Sequence, residues 1–445
     1  MRGAPLISVK PYNSVRSLLP DGKLSVCKKI HSSSVSVFMN STEKRAIIVL
    51  AFIFALRMLG LFMVLPVISL AANGYLGSTT ALLGVALGAY GLTQAALQIP
   101  FGYWSDRIGR RPMILFGLLL FFVGSVVAAN AETIYELIAG RCLQGSGAIA
   151  SVLTALLSDL TREEHRSKAM AAVGGSIGLS FALAMVLGPV LVGQWELSGL
   201  FWATALFALL GAALLYLIPG SQTLAVSSNN NSPGFLAAWA EGFSHGNLRR
   251  LNSGVFILHM MLTASFMVLP LLLQEQLSLP INQHWKLYLG AFGVSFIAMI
   301  PGLIYAQRRA ASRMVMRGAA LLLIISQLAL VVFSDQSAGA LAFLVFFIAF
   351  NLLEAMMPSE LSKQAAPERR GAAMGAFSTS QFLGAFAGGA LGGLVLTYFG
   401  AAHLHALFAL LGIVWWVWMA GYSPTSNQNS ERTVPSAKIV APQAD

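Results

Sequence analysis

Apolar stretches of about 20 residues, the length a helix needs to cross a bilayer, follow one another along most of the chain with short polar breaks between them. The pattern predicts twelve helices, over residues 46–70, 80–103, 112–129, 134–157, 169–193, 198–218, 251–273, 285–306, 314–333, 338–358, 371–398 and 401–420. Longer polar sequence is left for a leader at 1–43, a linker at 220–250 and a tail at 422–445. The predicted fold class is an all-α integral membrane protein.

The apolar pattern also repeats. Phe62-Met63-Val64-Leu65-Pro66 in span 1 recurs letter for letter as Phe266-Met267-Val268-Leu269-Pro270 in span 7, at an offset of 204 residues. The same offset matches Leu157 and Ser158 with Leu361 and Ser362, Glu164 with Glu368, Arg166 with Arg370, and Ala169-Met170 with Ala373-Met374. One offset held from the first span to the fifth predicts two pseudo-symmetric six-helix halves, 44–219 and 251–421, running parallel in the membrane. Halves of this kind are expected to rock about a site near mid-membrane at their interface. Within the linker, Ser227 to Pro233 reads as flexible. Phe235 to Phe243 has the composition of a short amphipathic helix lying on the membrane surface.

Composition agrees with a lipid environment: 56% of the residues are hydrophobic and 10% are charged, and the mean hydropathy is +0.72. A formal net charge of +11 would point to nucleic acid in a soluble protein, but in a membrane protein position decides what the charge means. Away from the termini, Arg107, Arg110, Arg111, Arg162, Arg166, Lys168, Arg249, Arg250, Arg308, Arg309, Arg313, Arg317, Lys363, Arg369 and Arg370 fall on one side, and Lys286 alone on the other. The basic excess therefore reports topology: both termini and the linker are expected in the cytoplasm, and no nucleic-acid partner is implied. The two cysteines, Cys27 and Cys142, make neither a disulfide framework nor a thiolate metal site. Residues 1–38 are basic, Ser-rich and nearly free of acids. They read either as a transit peptide or as a dispensable or misassigned leader ahead of a start at Met39. No hydrolase triad, nucleotide-binding Gly-Lys loop or metal-ligand cluster is present, so the chain is read as no enzyme, with no cofactor and no ATP drive.

The loop after span 2 reads Gly102-Tyr103-Trp104-Ser105-Asp106-Arg107-Ile108-Gly109-Arg110-Arg111. This Gly-x-x-x-Asp-Arg-x-Gly-Arg-Arg pattern resembles the major facilitator superfamily. The resemblance implies that Gly102, Asp106, Arg107, Gly109, Arg110 and Arg111, with Asp159 and Arg166 of the next loop on that side, form a conformational latch. In it Asp106 would sit against the positive N-terminus of span 11, near Gly371. The loop after span 8, Ala306 to Arg313, keeps the basic residues without the acid, and Lys363 falls where Asp159 would, so the latch is one-sided. Span 4 carries Arg141-Cys142-Leu143-Gln144-Gly145, similar to the family's Arg-x-x-Gln-Gly motif, whose arginine is associated with proton coupling. The alternative is a structural arginine bonding helix carbonyls. Span 5 ends Gly188-Pro189-Val190-Leu191-Val192-Gly193, with Gly175 upstream, and resembles the family's antiporter motif. Ala184 and Val192 stand where that motif has glycine, and close packing with a proline bend accounts for the same residues.

Ionisable residues inside spans are functional candidates by default, and here they are Arg57, Arg141, His259 and Glu354. At 1.5 Å of rise per residue, His259 and Glu354 lie within roughly 12 Å of the basic side and Arg57 and Arg141 deeper, at roughly 17 Å. The depths pair His259 with Glu354 for proton exchange and leave the arginines as a positive patch; a static hydrogen-bonded pair is the alternative. Gln94, Gln98, Gln144, Asn351 and Gln381, among Met260, Phe266 and other adaptable apolar residues, are candidates to line a cavity for an amphiphilic or apolar solute, or else simply face lipid or core. The stretch Phe350 to Ser359 and the Gly-rich 375–393 are similar to bacterial YajR-type exporters, over residues 44–420. Exporters of that type often carry a soluble C-terminal domain, for which the tail from Tyr422 is too short and polar. The expected protein is a monomeric, multi-pass antiporter of a bacterial inner membrane, whose partners are protons, a small-molecule substrate and the bilayer. Proton-linked uptake and a transport-inactive receptor or scaffold on the same fold are the competing readings.

Overall fold

The computed structural model describes residues 39–71, 74–218, 240, 243, 245–275, 279–332, 336–366 and 369–424. The readings of the leader at 1–38, of most of the linker helix at 235–243, of Glu368 and of the tail beyond Pro424 lie outside the described residues.

Three helix starts carry a side-chain cap that satisfies free backbone N–H groups, at Asn40, Thr79 and Thr133. Helix α1 (Ser41–Phe62) starts on a capping box: Asn40 Oδ1 accepts from the Glu43 N–H at 2.7 Å, and Glu43 accepts from the Asn40 N–H at 3.0 Å. It is followed by α2 (Ile68–Ala71), α3 (Thr80–Ile108), α4 (Arg110–Ala129), α5 (Ile134–Ser146) and α6 (Ala150–Asp159). Then come α7 (Glu163–Leu215), α8 (Gly246–Glu275), α9 (His284–Arg308), α10 (Ser312–Val332), α11 (Gln336–Gln364), α12 (Arg370–Tyr398) and α13 (Gly400–Trp418). Among the described residues the one bridge outside helices pairs Leu76 with Thr133.

Among the described residues ten helices are long and apolar enough to cross a membrane. Two further crossings come from the way spans break. The 53-residue α7 leaves helical geometry at Trp195 (φ −131°, ψ 19°) and Glu196 (φ 56°, ψ −169°). Its two ends meet one loop: Arg111 donates to the Ile218 carbonyl at 2.6 Å, and Arg110 pairs at 3.2 Å with Asp159, four residues before α7 begins. The helix therefore crosses twice. Conversely, α5 and α6 are each too short to span alone and continue one another across a break at Gly147. Twelve crossings result, as the apolar pattern predicts.

The first six spans pack on one another through α1–α7, α4–α5, α4–α7 and α3–α5, and the last six through α8–α12, α10–α11, α10–α13 and α9–α11. The two sets meet chiefly along α3–α12, with α7–α9 beside it. Small residues make the first seam possible. A Cβ added at Gly88 would lie 2.8 Å from the Phe386 carbonyl oxygen, and one at Gly91 would lie 2.6 Å from that of Phe382. The contact at Gly88 lies toward the end of α3 away from the arginine-rich loops, and the one at Gly91 and Phe382 lies near the middle of both helices. At the basic face, Gly371 and Gly375 of α12 and Gly174, Gly175 and Gly178 of α7 would offer an added Cβ nothing within 4 Å. The six-helix sets are thus packed together at the opposite face and separate toward the basic one.

Candidate functional site

In the first six spans, two guanidinium groups are drawn onto one tyrosine. Gly145 lets α5 approach α3 so closely that an added Cβ would stand 2.9 Å from the Tyr90 carbonyl carbon. This places Arg141 with its Cζ 5.2 Å from the Tyr90 ring centroid, while Arg57 of α1 approaches the same ring at 5.9 Å. Arg57 donates to Gln94 Oε1 and, at 3.0 Å, to the carbonyl of Gly147, where the break between α5 and α6 leaves that oxygen accessible. Arg141 donates to Gln144 Oε1 at 2.8 Å, and the Gln144 amide donates on to Ser125 at 2.8 Å and Thr204 at 3.4 Å. Gln94 in turn reaches Gln98 at 3.4 Å. Both arginines are buried, and no carboxylate pairs with either among the described residues. Arg57 Nε and Nη1, Arg141 Nε and the Tyr90 hydroxyl have no hydrogen-bond partner. Uncompensated charge at this depth costs roughly 3 kcal/mol per arginine.

The last six spans hold the titratable counterpart. His259 of α8, Glu354 of α11 and Gln381 of α12 converge, with His259 Nε2 3.8 Å from Glu354 Oε2. Nδ1 lies 3.2 Å from the Val255 carbonyl, which can only accept, so this nitrogen donates when it carries a proton. Nε2 then offers its lone pair to the Gln381 amide nitrogen at 2.7 Å, and the same nitrogen donates to Glu354 Oε1 at 3.1 Å. A proton arriving on Nε2 could not face that NH2 group. Gln381 would have to turn its carbonyl toward the ring, breaking its bond to Glu354. Glu354 Oε2 is buried and has no hydrogen-bond partner among the described residues, while the side chain as a whole is 35% exposed. One turn away, Asn351 donates to Ser295 at 2.8 Å.

Comparison with known proteins now decides the family. Residues 50–362 match the Major Facilitator Superfamily model. The chain belongs to this superfamily. It is 42% identical to the inner membrane transport protein YajR of Escherichia coli, over 85% of this chain and 83% of that protein. It is 31% identical to the class E tetracycline resistance protein of Escherichia coli over 35% of this chain and 37% of that one. Among solved structures, a bacterial homologue of the human lysosomal transporter Spinster superposes with a TM-score of 0.70 at 12% identity, covering 86% of this chain and 97% of that one, which shows a shared fold. The chain is therefore a multi-pass membrane transporter of the major facilitator type and not an enzyme.

Within the superfamily motif, Asp106 does not reach the start of α12. It pairs with Arg110 inside its own loop and is half exposed, while Arg110 also binds Asp159. Arg107 stacks 4.1 Å over Tyr103. Arg166 approaches the Ser158 carbonyl at 3.5 Å. In this conformation the loop residues are tied to one another and the contact expected near Gly371 is not made, because the six-helix sets stand apart at that face. In the glycine motif, Gly188 packs under the Met63 carbonyl and Gly193 against Asn282, where an added Cβ would lie 2.6 Å from the Asn282 Cβ; at Gly175 an added Cβ would meet nothing within 4 Å.

The candidate cavity residues divide. Gln144 and Gln94 are fully buried in the arginine network, Gln98 is nearly so, and none of the three stands on an open wall. Phe266 is buried among aromatic rings, 6.4 Å from Phe181 of α7 and 5.9 Å from Phe347, and Met260 packs under Gly388. Gln381, beside Glu354, is half-buried.

Several residues the sequence reading passed over hold this framework. Glu43 grips Arg162 through Oε1 at 2.8 Å and Oε2 at 3.0 Å, clasping the start of α1 to the loop before α7. Glu360 accepts from Ser312 at 2.9 Å, Lys363 at 2.7 Å and Tyr422 at 2.9 Å, which ties the segment after α13 to α10 and α11.

Proposed function

We propose that this transporter is a proton-coupled efflux antiporter of small amphiphilic compounds, working by alternating access between the six-helix halves. The observation that carries the reading is the Glu354–Gln381–His259 cluster: a partly exposed carboxylate side chain and an imidazole bridged by one amide whose orientation depends on where the proton sits. Protonation on one side of the membrane and release on the other would drive the halves between their two packings. With the basic face in the cytoplasm, which the arginine-rich loops support, the present packing is open inward, the state in which an exporter takes up its solute. Arg57 and Arg141, each with a donor unpaired among the described residues, supply a fixed positive field in the first six spans.

Export is supported by the drug-resistance relative and weakened by Ala184 and Val192, which interrupt the glycine motif; proton-linked uptake is the alternative, since the fold does not set direction. Purified protein in proteoliposomes with an imposed pH gradient, offered lipophilic cations, dyes and sugars, distinguishes them. Efflux linked to proton uptake is expected for an amphiphilic class, solute movement with the proton identifies an importer, and no gradient response for any class indicates a scaffold. Glu354→Gln should abolish the coupled movement while the chain stays folded and inserted. Normal coupling in that variant would refute the proton role of Glu354.

A further inference from the structure

Between α10 and α13, close to the basic face, lies a groove of about 640 Å³ that the transport site does not use. Its walls include Arg313, Met314, Arg317, Gly318 and Leu321 of α10, with Trp416 of α13. The α10 residues recur at spacings that put them on one stripe of the helix. From Arg313 to Leu321 the stripe descends about 12 Å into the membrane, with the charges at the top and the apolar side chains below. Gly318 makes a notch in it, since an added Cβ would meet nothing within 4 Å. Met314 is 57% and Leu321 43% exposed, so the trough opens outward. Helix α10 packs chiefly on α11 and α13 of its own half, which puts the groove away from the route between the halves.

The charge at its mouth is fixed and uncompensated. Arg313 donates to the Ala420 carbonyl. Arg317 stacks 4.3 Å over Trp416, whose indole N–H donates to the Arg317 carbonyl at 3.0 Å. Arg317 Nε is buried without a hydrogen-bond partner. Among the described residues neither arginine has an ion pair, and the acid nearest in the network, Glu360, is occupied by Ser312, Lys363 and Tyr422. Two guanidinium groups held in place at the top of an apolar trough match a phosphodiester joined to an acyl chain.

We propose that this groove binds one anionic phospholipid, with the phosphate between Arg313 and Arg317 and an acyl chain along Met314, Gly318 and Leu321. The bound lipid fastens the start of α10 to the end of α13. A free phosphate would use the arginines alone and leave the notch at Gly318 empty.

Native mass spectrometry of the full chain released from detergent, with phosphatidylglycerol, phosphatidylcholine of the same chains or inorganic phosphate added, tests the site. Wild type should retain one phosphatidylglycerol in preference to phosphatidylcholine. Arg313→Gln and Arg317→Gln should each weaken retention about fivefold. Gly318→Leu, which fills the notch and keeps both charges, should weaken it as well. Arg308→Gln, on the same face outside the groove, should change nothing, and thermal unfolding in the same detergent verifies that each variant is folded. Equal retention of the two lipids, unaltered retention in the arginine variants, or an equal loss in Arg308→Gln would overturn the proposal. Full displacement by inorganic phosphate with no effect of Gly318→Leu would overturn it in favour of a phosphate site.

Discussion

The sandwich of Arg57 and Arg141 on Tyr90 depends on a residue with no side chain. At Gly145 an ordinary helix would gain by carrying alanine or a larger residue, but here any Cβ runs into the Tyr90 carbonyl and Thr93, so packing decides the sign. Gly145→Val is expected to destabilise the protein by about 1–3 kcal/mol, seen as a lower midpoint of thermal unfolding in detergent. Gly174→Val, with nothing within 4 Å, should leave that midpoint unchanged. The charged members of both clusters were legible in the sequence, because an ionisable residue inside an apolar run stands out. Their partners were not. Tyr90, Ser125 and Thr204 are ordinary residues for a span, and only tertiary contact gives them a role. Glu360 was missed because it falls two residues beyond the predicted end of its span, on a helix that continues to Gln364.

Identical sequence takes two forms at the scale of the element. Phe62 to Pro66 ends α1 in a turn, where the Phe62 carbonyl, denied a donor by Pro66, accepts from Leu65 at 3.1 Å. Phe266 to Pro270 stays within α8 as continuous helix. The proline permits a break in both, and neighbours determine whether one occurs: Gly188 of α7 lies under the Met63 carbonyl only in the first half. The loop motif behaves similarly. Its residues were recognisable from spacing, yet their pairing depends on conformation. Asp106 now forms an exposed pair with Arg110, which contributes at most about 1 kcal/mol, so Asp106→Asn should barely alter thermal stability. The same change removes the negative charge available to the α12 N-terminus when the halves close at the basic face. It should therefore shift the population toward the present packing, with thiol labelling of Gly375→Cys rising about two- to fivefold; unchanged labelling would exclude the latch.

For the molecule as a whole, closure at the opposite face rests on the glycine seam of α3 and α12 and on Gly193 against Asn282. In a background without the native cysteines, Gly193→Cys with Asn282→Cys places two thiols within a small shift of disulfide separation. Oxidation is expected to hold the opposite face shut and stop transport, and reduction to restore it. Transport that continues in the oxidised protein would show that this face need not open. The sequence by itself determined the number of crossings, the repeat and the gathering of the basic loops at one face. Each follows from one-dimensional quantities: length of apolar run, offset and charge position. Only the tertiary structure decided that Gln94 and Gln144 serve the arginines and line no open wall, that Gln381 joins His259 to Glu354, and that Asp106 stands away from α12. Those outcomes depend on which helices meet and at which end, and a pattern read along the chain carries no information about the distance between residues on different spans.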